Sequence, residues 1–166
     1  FTGTQYSVQN EALQIENVEG VISECRVLYT GENYRDASYE VDVQVVNEDM
    51  GNQDLGLVAR YMSSESYLYF SYAPWRAGTQ ETYQITRRVG TSYETLASAA
   101  GNVQLQPGQT YTMRVEMDGE SLKWYVNGEL QLQAEDPSPA AGKIGLGQYE
   151  SKGAGVLLCD NVKVTP

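Results

Sequence analysis

Histidine is absent from the 166 residues. With it go the commonest general base at neutral pH and the commonest zinc ligand, so Ser-His-Asp, Cys-His and HExxH chemistries are excluded. Positive charge is also scarce: 11 Lys+Arg stand against 22 Asp+Glu, a net charge of −11 at pH 7. Such a surface repels phosphate backbones and anionic headgroups, which disfavours nucleic acid and membrane surfaces as partners. A neutral glycan, a metal cation or a basic partner meets no such barrier. No apolar run approaches the roughly 18 residues of a bilayer-spanning helix, so no membrane insertion is expected. Phe1 opens a polar stretch without a basic-then-apolar leader, and the chain reads as mature or excised. Cysteine occurs twice, as Cys25 and Cys159. A bridge between them would close a long loop and stabilise by about 4 kcal/mol. Two cysteines are too few to diagnose an oxidising compartment, and bridged and free thiols both stay open.

Period-two alternation runs through most of the sequence. Tyr39, Val41, Val43 and Val45 are separated by Glu40, Asp42 and Gln44, the pattern of a strand with one buried face. Tyr111-Met113-Val115-Met117 and Leu122-Trp124-Val126 repeat it, followed by Leu158, Val162 and Val164 near the end. Helical periodicity is missing. Asp118-Gly119 and Asn127-Gly128 are pairs that tolerate the positive φ of tight hairpins, so two successive antiparallel hairpins are predicted. Length and pattern together predict one domain over residues 1–166, an all-β antiparallel sandwich.

The order of these elements resembles jelly-roll β-sandwiches of the concanavalin A-like, laminin-G-like kind. The resemblance rests on an opening strand at Tyr6 to Leu13, Tyr34-Arg-Asp36 before the long strand Tyr39 to Val46, then Gly56 to Tyr61, Tyr67 to Tyr72 and Tyr83 to Val89. It continues through the pair Gly108 to Val115 and Leu122 to Gly128, and closes with Gly142 to Leu146 and Cys159 to Val164. That superfamily includes carbohydrate-binding modules, glycoside hydrolases, lyases and protein-binding adhesion modules, so the fold does not choose among them.

For the hydrolases, Glu40-Val-Asp42-Val-Gln44 resembles a family 16 strand that carries Glu, Asp and Glu on one face. Here the third position is an amide, which cannot supply the proton a retaining mechanism needs. A solvated polar face opposite Val41, Val43 and Val45 is the expected role. Glu135, Asp136 and Glu150 are read as loop charges. The alginate-lyase type uses a histidine that this chain lacks.

Binding has more support in the residues. Thirteen tyrosines and two tryptophans offer ring faces that stack on sugars. In Tyr67-Leu-Tyr-Phe-Ser-Tyr72, alternation assigns Leu68, Phe70 and Tyr72 to the core and exposes Tyr67 and Tyr69. Trp75 falls in the turn-like Ala73-Pro-Trp-Arg76 and is the first ligand contact expected. Arg60, Arg76, Arg87 and Arg88 are candidates to hold sugar hydroxyls or a carboxylate, and Tyr149 adds a loop aromatic. Trp124, alternating with Leu122 and Val126, is assigned to the core.

Asp160 shares a face with Leu158 and Val162, where an unpaired carboxylate would be costly. The resemblance implies a structural calcium there, with Glu16, Asn17 or Glu19 from an early strand; the rival is that Asp160 accepts backbone hydrogen bonds or pairs with Arg26. The expectation is a non-catalytic carbohydrate-binding module for a polysaccharide or oligosaccharide. The resemblance places it outside the cell or at its surface, as part of a larger bacterial polysaccharide-degrading protein, and the lack of an Asn-X-Ser/Thr acceptor agrees with a bacterial source. The alternative is an adhesion module that steers a basic partner with its acidic surface.

Overall fold

The computed structural model describes residues 4–9, 12–17, 23–46, 54–150 and 156–166. Among these residues alternation becomes thirteen strands: β1 (Thr4–Gln9), β2 (Ala12–Asn17), β3 (Ser23–Leu28), β4 (Ala37–Val45), β5 (Asp54–Ser63), β6 (Ser66–Tyr72), β7 (Tyr83–Val89), β8 (Ser92–Ala99), β9 (Thr110–Asp118), β10 (Ser121–Val126), β11 (Glu129–Glu135), β12 (Lys143–Glu150) and β13 (Val156–Thr165). One sheet has the order β1-β2-β13-β4-β9-β10-β11 and the other β3-β12-β5-β6-β7-β8. Every pairing among the described residues is antiparallel. The first sheet is called the front sheet below and the second the back sheet.

Both predicted hairpins form. β9 and β10 meet with Asp118 opposite Ser121, and β10 and β11 with Val126 opposite Glu129. Asn127 and Gly128 both take positive φ, 51° and 79°, as a type I′ turn matched to strand twist requires. The predicted opening strand is instead a strand pair, with Val8 of β1 opposite Leu13 of β2.

The inward faces close on one apolar cluster. Tyr39, Val41, Val43 and Val45 enter it from β4, with Met113, Val115, Leu122 and Trp124 beside them; Leu55, Leu57, Leu68, Phe70, Tyr83 and Ile85 meet them from the back sheet. Trp124 is fully buried and joins the layers, its ring edge-on to Tyr83 at 4.8 Å and to Phe70 at 6.3 Å. Its indole N–H has no acceptor among the described residues, so burial and ring contacts offset a lost hydrogen bond.

Core tyrosines also reach the sandwich rim with their hydroxyls. Tyr83 donates to the Val103 carbonyl at 2.5 Å, and the Tyr72 and Tyr111 oxygens accept the Leu105 and Gln106 amides at 3.1 and 2.9 Å. The segment crossing from β8 to β9 is thereby pinned to the core. Much of the tyrosine content is an apolar body with a polar tip.

Cys159 is buried on β13 in the front sheet, while Cys25 sits on β3 in the back sheet opposite Gln148; the Cys25 side chain lies outside the described residues. No helix among the described residues is long and apolar enough to cross a membrane. Replacing Trp124 by Ala removes the inter-sheet contact and should cost about 3–5 kcal/mol, read as a lower urea midpoint at unchanged m-value.

Candidate functional site

The predicted ligand residues fall into two groups at opposite ends of the back sheet. At one end the β5–β6 and β7–β8 turns meet the β11–β12 connection. They enclose an open cleft of about 260 Å³ lined by Arg60, Tyr67, Arg87, Arg88, Asp136 and Ser138, with Met62, Leu68, Val89 and Ala140 as its apolar wall.

Arg60 organises this end. The β5–β6 register slips between Ala59 and Ser63, and Arg60 there has φ 48°, unusual for a side-chain-bearing residue. Its guanidinium is buried beneath the cleft. Nη1 donates to Asp136 at 2.7 Å, Nη2 to the carbonyls of Gly119 at 2.7 Å and Arg35 at 2.8 Å, and Nε to Arg35 at 3.1 Å. Arg60 was expected to hold sugar; with its donors used inside the protein it is a structural hub.

Asp136 shares that role. It is 2% exposed, accepts from Arg60 and from Arg87 Nη1 at 3.3 Å, and receives the Ser138 amide at 3.1 Å. Expected as a loop charge, it is the buried counter-ion of two arginines. The signal was Asp136-Pro-Ser-Pro139, where an Asx turn bends the carboxylate back on its own backbone.

Arg87 also donates to Glu94 at 2.7 Å. Arg88 is held by Nε donating to the Gly90 carbonyl at 2.7 Å, with its guanidinium 4.2 Å above the Tyr93 ring.

Tyr67 departs from expectation. It is on the outer face, as alternation predicted, yet only 3% exposed. Tyr61 stacks on it at 5.8 Å, the Arg26 guanidinium lies 4.1 Å over its ring, and its hydroxyl meets Arg26 and the Tyr93 hydroxyl. Tyr69 is half-buried and donates to the Gly147 carbonyl at 3.1 Å, its ring occupying the space a Cβ at Gly147 would need. Neither presents the open face that was expected, because the sheet's outer surface carries a second layer of long side chains.

Trp75 belongs to the opposite end. Tyr67 and Tyr72 are five residues apart on β6, roughly 17 Å, and the short 3-10 turn Pro74–Arg76 begins beyond Tyr72. Trp75 is 46% exposed, but its Nε1–H is bound to Asp54 at 2.9 Å and Arg76 lies 4.2 Å over its ring. Tyr149 faces Asp54 across the β5–β12 pair. Trp75, Arg76 and Tyr149 thus gather around Asp54 instead of joining Tyr67. Burial pushes the Asp54 carboxyl above its ordinary range, opposed by the Trp75 hydrogen bond and the Arg76 charge.

Asp160 is exposed, with Leu157 and Cys159 inward. A register shift on β13 between Asp160 and Lys163, with Asn161 at φ 53°, resets the alternation. Asp160 accepts the Asn161 amide at 2.7 Å, and Arg26 sits on the other sheet. Cys159 faces Leu13, which leaves Glu16 three and Asn17 four positions further along β2, roughly 10 and 13 Å away. Glu19 lies outside the described residues. No group of three acidic, Cys or His residues that could hold a metal occurs among the described residues.

Glu40, Asp42 and Gln44 line the outer face of the front sheet and are engaged there. Lys163 bonds Glu40 at 3.1 Å, Thr112 and Asn161 bond Asp42 at 2.5 and 2.9 Å, and Gln44 donates to Gly108 at 2.6 Å.

Two antiparallel sheets over a shared core, with this strand order, define a jelly-roll sandwich of the concanavalin A-like kind. Residues 1–164 match the 3-keto-alpha-glucoside-1,2-lyase-like domain, and the chain belongs to that family. No protein of curated function matches it by sequence. Its fold is similar to carbohydrate binding module CBM66 from Bacillus subtilis (16% identity, 98% of this chain and 92% of that one, TM-score 0.75). It is also similar to a putative glycosyl hydrolase from Parabacteroides distasonis (12%, 96% and 82%, 0.63) and to Bacillus licheniformis beta-glucanase (14%, 97% and 82%, 0.62). At such identities the likeness is one of fold, which binding modules and hydrolases share.

Two stability measurements check the site's construction. Asp136→Ala strands the buried Arg60 charge and should cost about 3–5 kcal/mol in urea unfolding. Asp54→Asn tests the raised carboxyl. A carboxyl raised in the folded state holds its proton there longer than in the unfolded chain, so wild-type stability falls as pH rises above the ordinary Asp range. Asp54→Asn removes that fall, and its unfolding midpoint should gain on wild type between pH 4 and pH 7.

Proposed function

We propose that the chain is a non-catalytic carbohydrate-binding module whose site is the cleft at the Arg60–Asp136 end of the back sheet. The observation that carries this is the convergence of Tyr67, Arg87 and Arg88 with Ser138 and an apolar wall on one open cavity of about 260 Å³, floored by the Arg60–Asp136 pair. The guanidinium groups and the Ser138 hydroxyl suit sugar oxygens, and Val89 and Ala140 suit the C–H face of a ring. The volume lies just below the usual range for drug-sized ligands, about 300–1,000 Å³, and suits one sugar unit of a longer glycan.

Binding is favoured over hydrolysis by the cleft's acid content. Among the described residues it contains one carboxylate, Asp136, already committed to two arginines, whereas glycoside hydrolysis in its usual form uses a pair. A Bacillus subtilis carbohydrate-binding module has the same fold, so the fold accommodates a binding role. In this reading the protein works outside the cell as one part of a larger bacterial polysaccharide-degrading protein.

The test is affinity electrophoresis against a panel of polysaccharides, with and without chelator, for wild type, Met62→Trp and Trp75→Ala. Met62 is exposed on the cleft wall, so an indole there fills the cavity. Retardation by at least one glycan, abolished by Met62→Trp and retained by Trp75→Ala, is expected. Binding that survives Met62→Trp rules out the cleft; no binding to any glycan rules out the function. Loss of binding with chelator would show a required metal that the described residues do not account for.

A further inference from the structure

The charge in this cleft is unlike that of the rest of the chain. Three arginines and one aspartate line it, although acidic residues outnumber basic ones two to one overall. The arginines differ in what they have left to give. Arg60 spends its donors on Asp136 and two backbone carbonyls, and Arg87 is paired with Glu94 and Asp136. Arg88 has no carboxylate partner among the described residues. Its Nε is taken by the Gly90 carbonyl and its plane is stacked on Tyr93, which fixes the guanidinium and leaves the Nη1 and Nη2 edge for a ligand.

We propose that the cleft selects a carboxylated sugar, a uronic acid unit, with the Arg88 Nη1/Nη2 edge holding its carboxylate. The inference rests on the carbohydrate-binding reading above. Two coplanar N–H donors match the two oxygens of a planar carboxylate, and charge assistance makes such bonds about twice as strong as neutral ones. Because the anchor and the stacked ring already restrict Arg88, little side-chain freedom is lost when the ligand arrives. A neutral hexose would fill the same volume but leave the cation without its counter-charge.

The probes are oligogalacturonate and oligoalginate, each compared with its carboxyl-reduced neutral counterpart, titrated calorimetrically into wild type, Arg88→Gln and Arg88→Lys at fixed ionic strength. Wild type should bind at least one uronate at least tenfold more tightly than its reduced form. Arg88→Gln should erase that preference, and Arg88→Lys should restore only part of it, with unfolding midpoints showing all three folded. Equal binding of reduced and carboxylated forms by wild type overturns the uronate assignment and leaves the carbohydrate-binding reading standing. A uronate preference that survives Arg88→Gln overturns the role of Arg88. Failure of every glycan in the polysaccharide panel removes both.

Discussion

One buried ion pair sets the shape of the functional end of this molecule. Arg60 and Asp136 meet at 2.7 Å with both side chains almost wholly out of solvent. In that setting neither charge is tolerable alone, and each must also satisfy its remaining hydrogen-bonding groups. Arg60 does so by taking carbonyls from Arg35, ahead of β4, and from Gly119 in the β9–β10 turn. Asp136 binds Arg87 on β7 and the amide of its own loop. Segments from both sheets are tied to one point. The cleft is the space left above that knot, so its walls are as fixed as the pair beneath them.

The positions that make the knot are not the ones that show it in the sequence. Hairpins announced themselves through Asp118-Gly119 and Asn127-Gly128, and the inward faces of β4, β9 and β10 through strict alternation. β8 gave no such signal: Tyr93, Glu94 and Thr95 are all exposed on an edge strand, where no burial selects one face. Asp160 was placed on the wrong face because period-two counting assumes an unbroken strand, and the irregularity at Asn161 shifts the phase by one.

The site was legible as a set of residue types but not as a constellation. Arg60, Tyr67, Arg87 and Arg88 were all named from the sequence, and three-dimensional packing brought them together. Their roles differ from expectation because period two reports which side of a sheet a residue faces and says nothing of what covers that side. Tyr67 faces outward and is covered by Arg26, Tyr61 and Tyr93; Arg60 sits on a left-handed backbone that alternation cannot describe. Trp75 looked like the outstanding aromatic because a tryptophan beside proline suggests a loop tip, yet its indole is engaged by Asp54 and Arg76, far from the cleft.

The crossing from β8 to β9 has a dynamic consequence. Four of its amides are bonded to side chains rooted in strands: Asn102 and Val103 to Gln131, Leu105 to Tyr72 and Gln106 to Tyr111. An amide of this kind exchanges its proton with solvent only when the acceptor lets go, and here the acceptors are carried by side chains that are themselves almost fully buried. The segment therefore belongs to the same cooperative unit as the core, and its exchange protection reports the opening of the sandwich, although by secondary structure it is a loop.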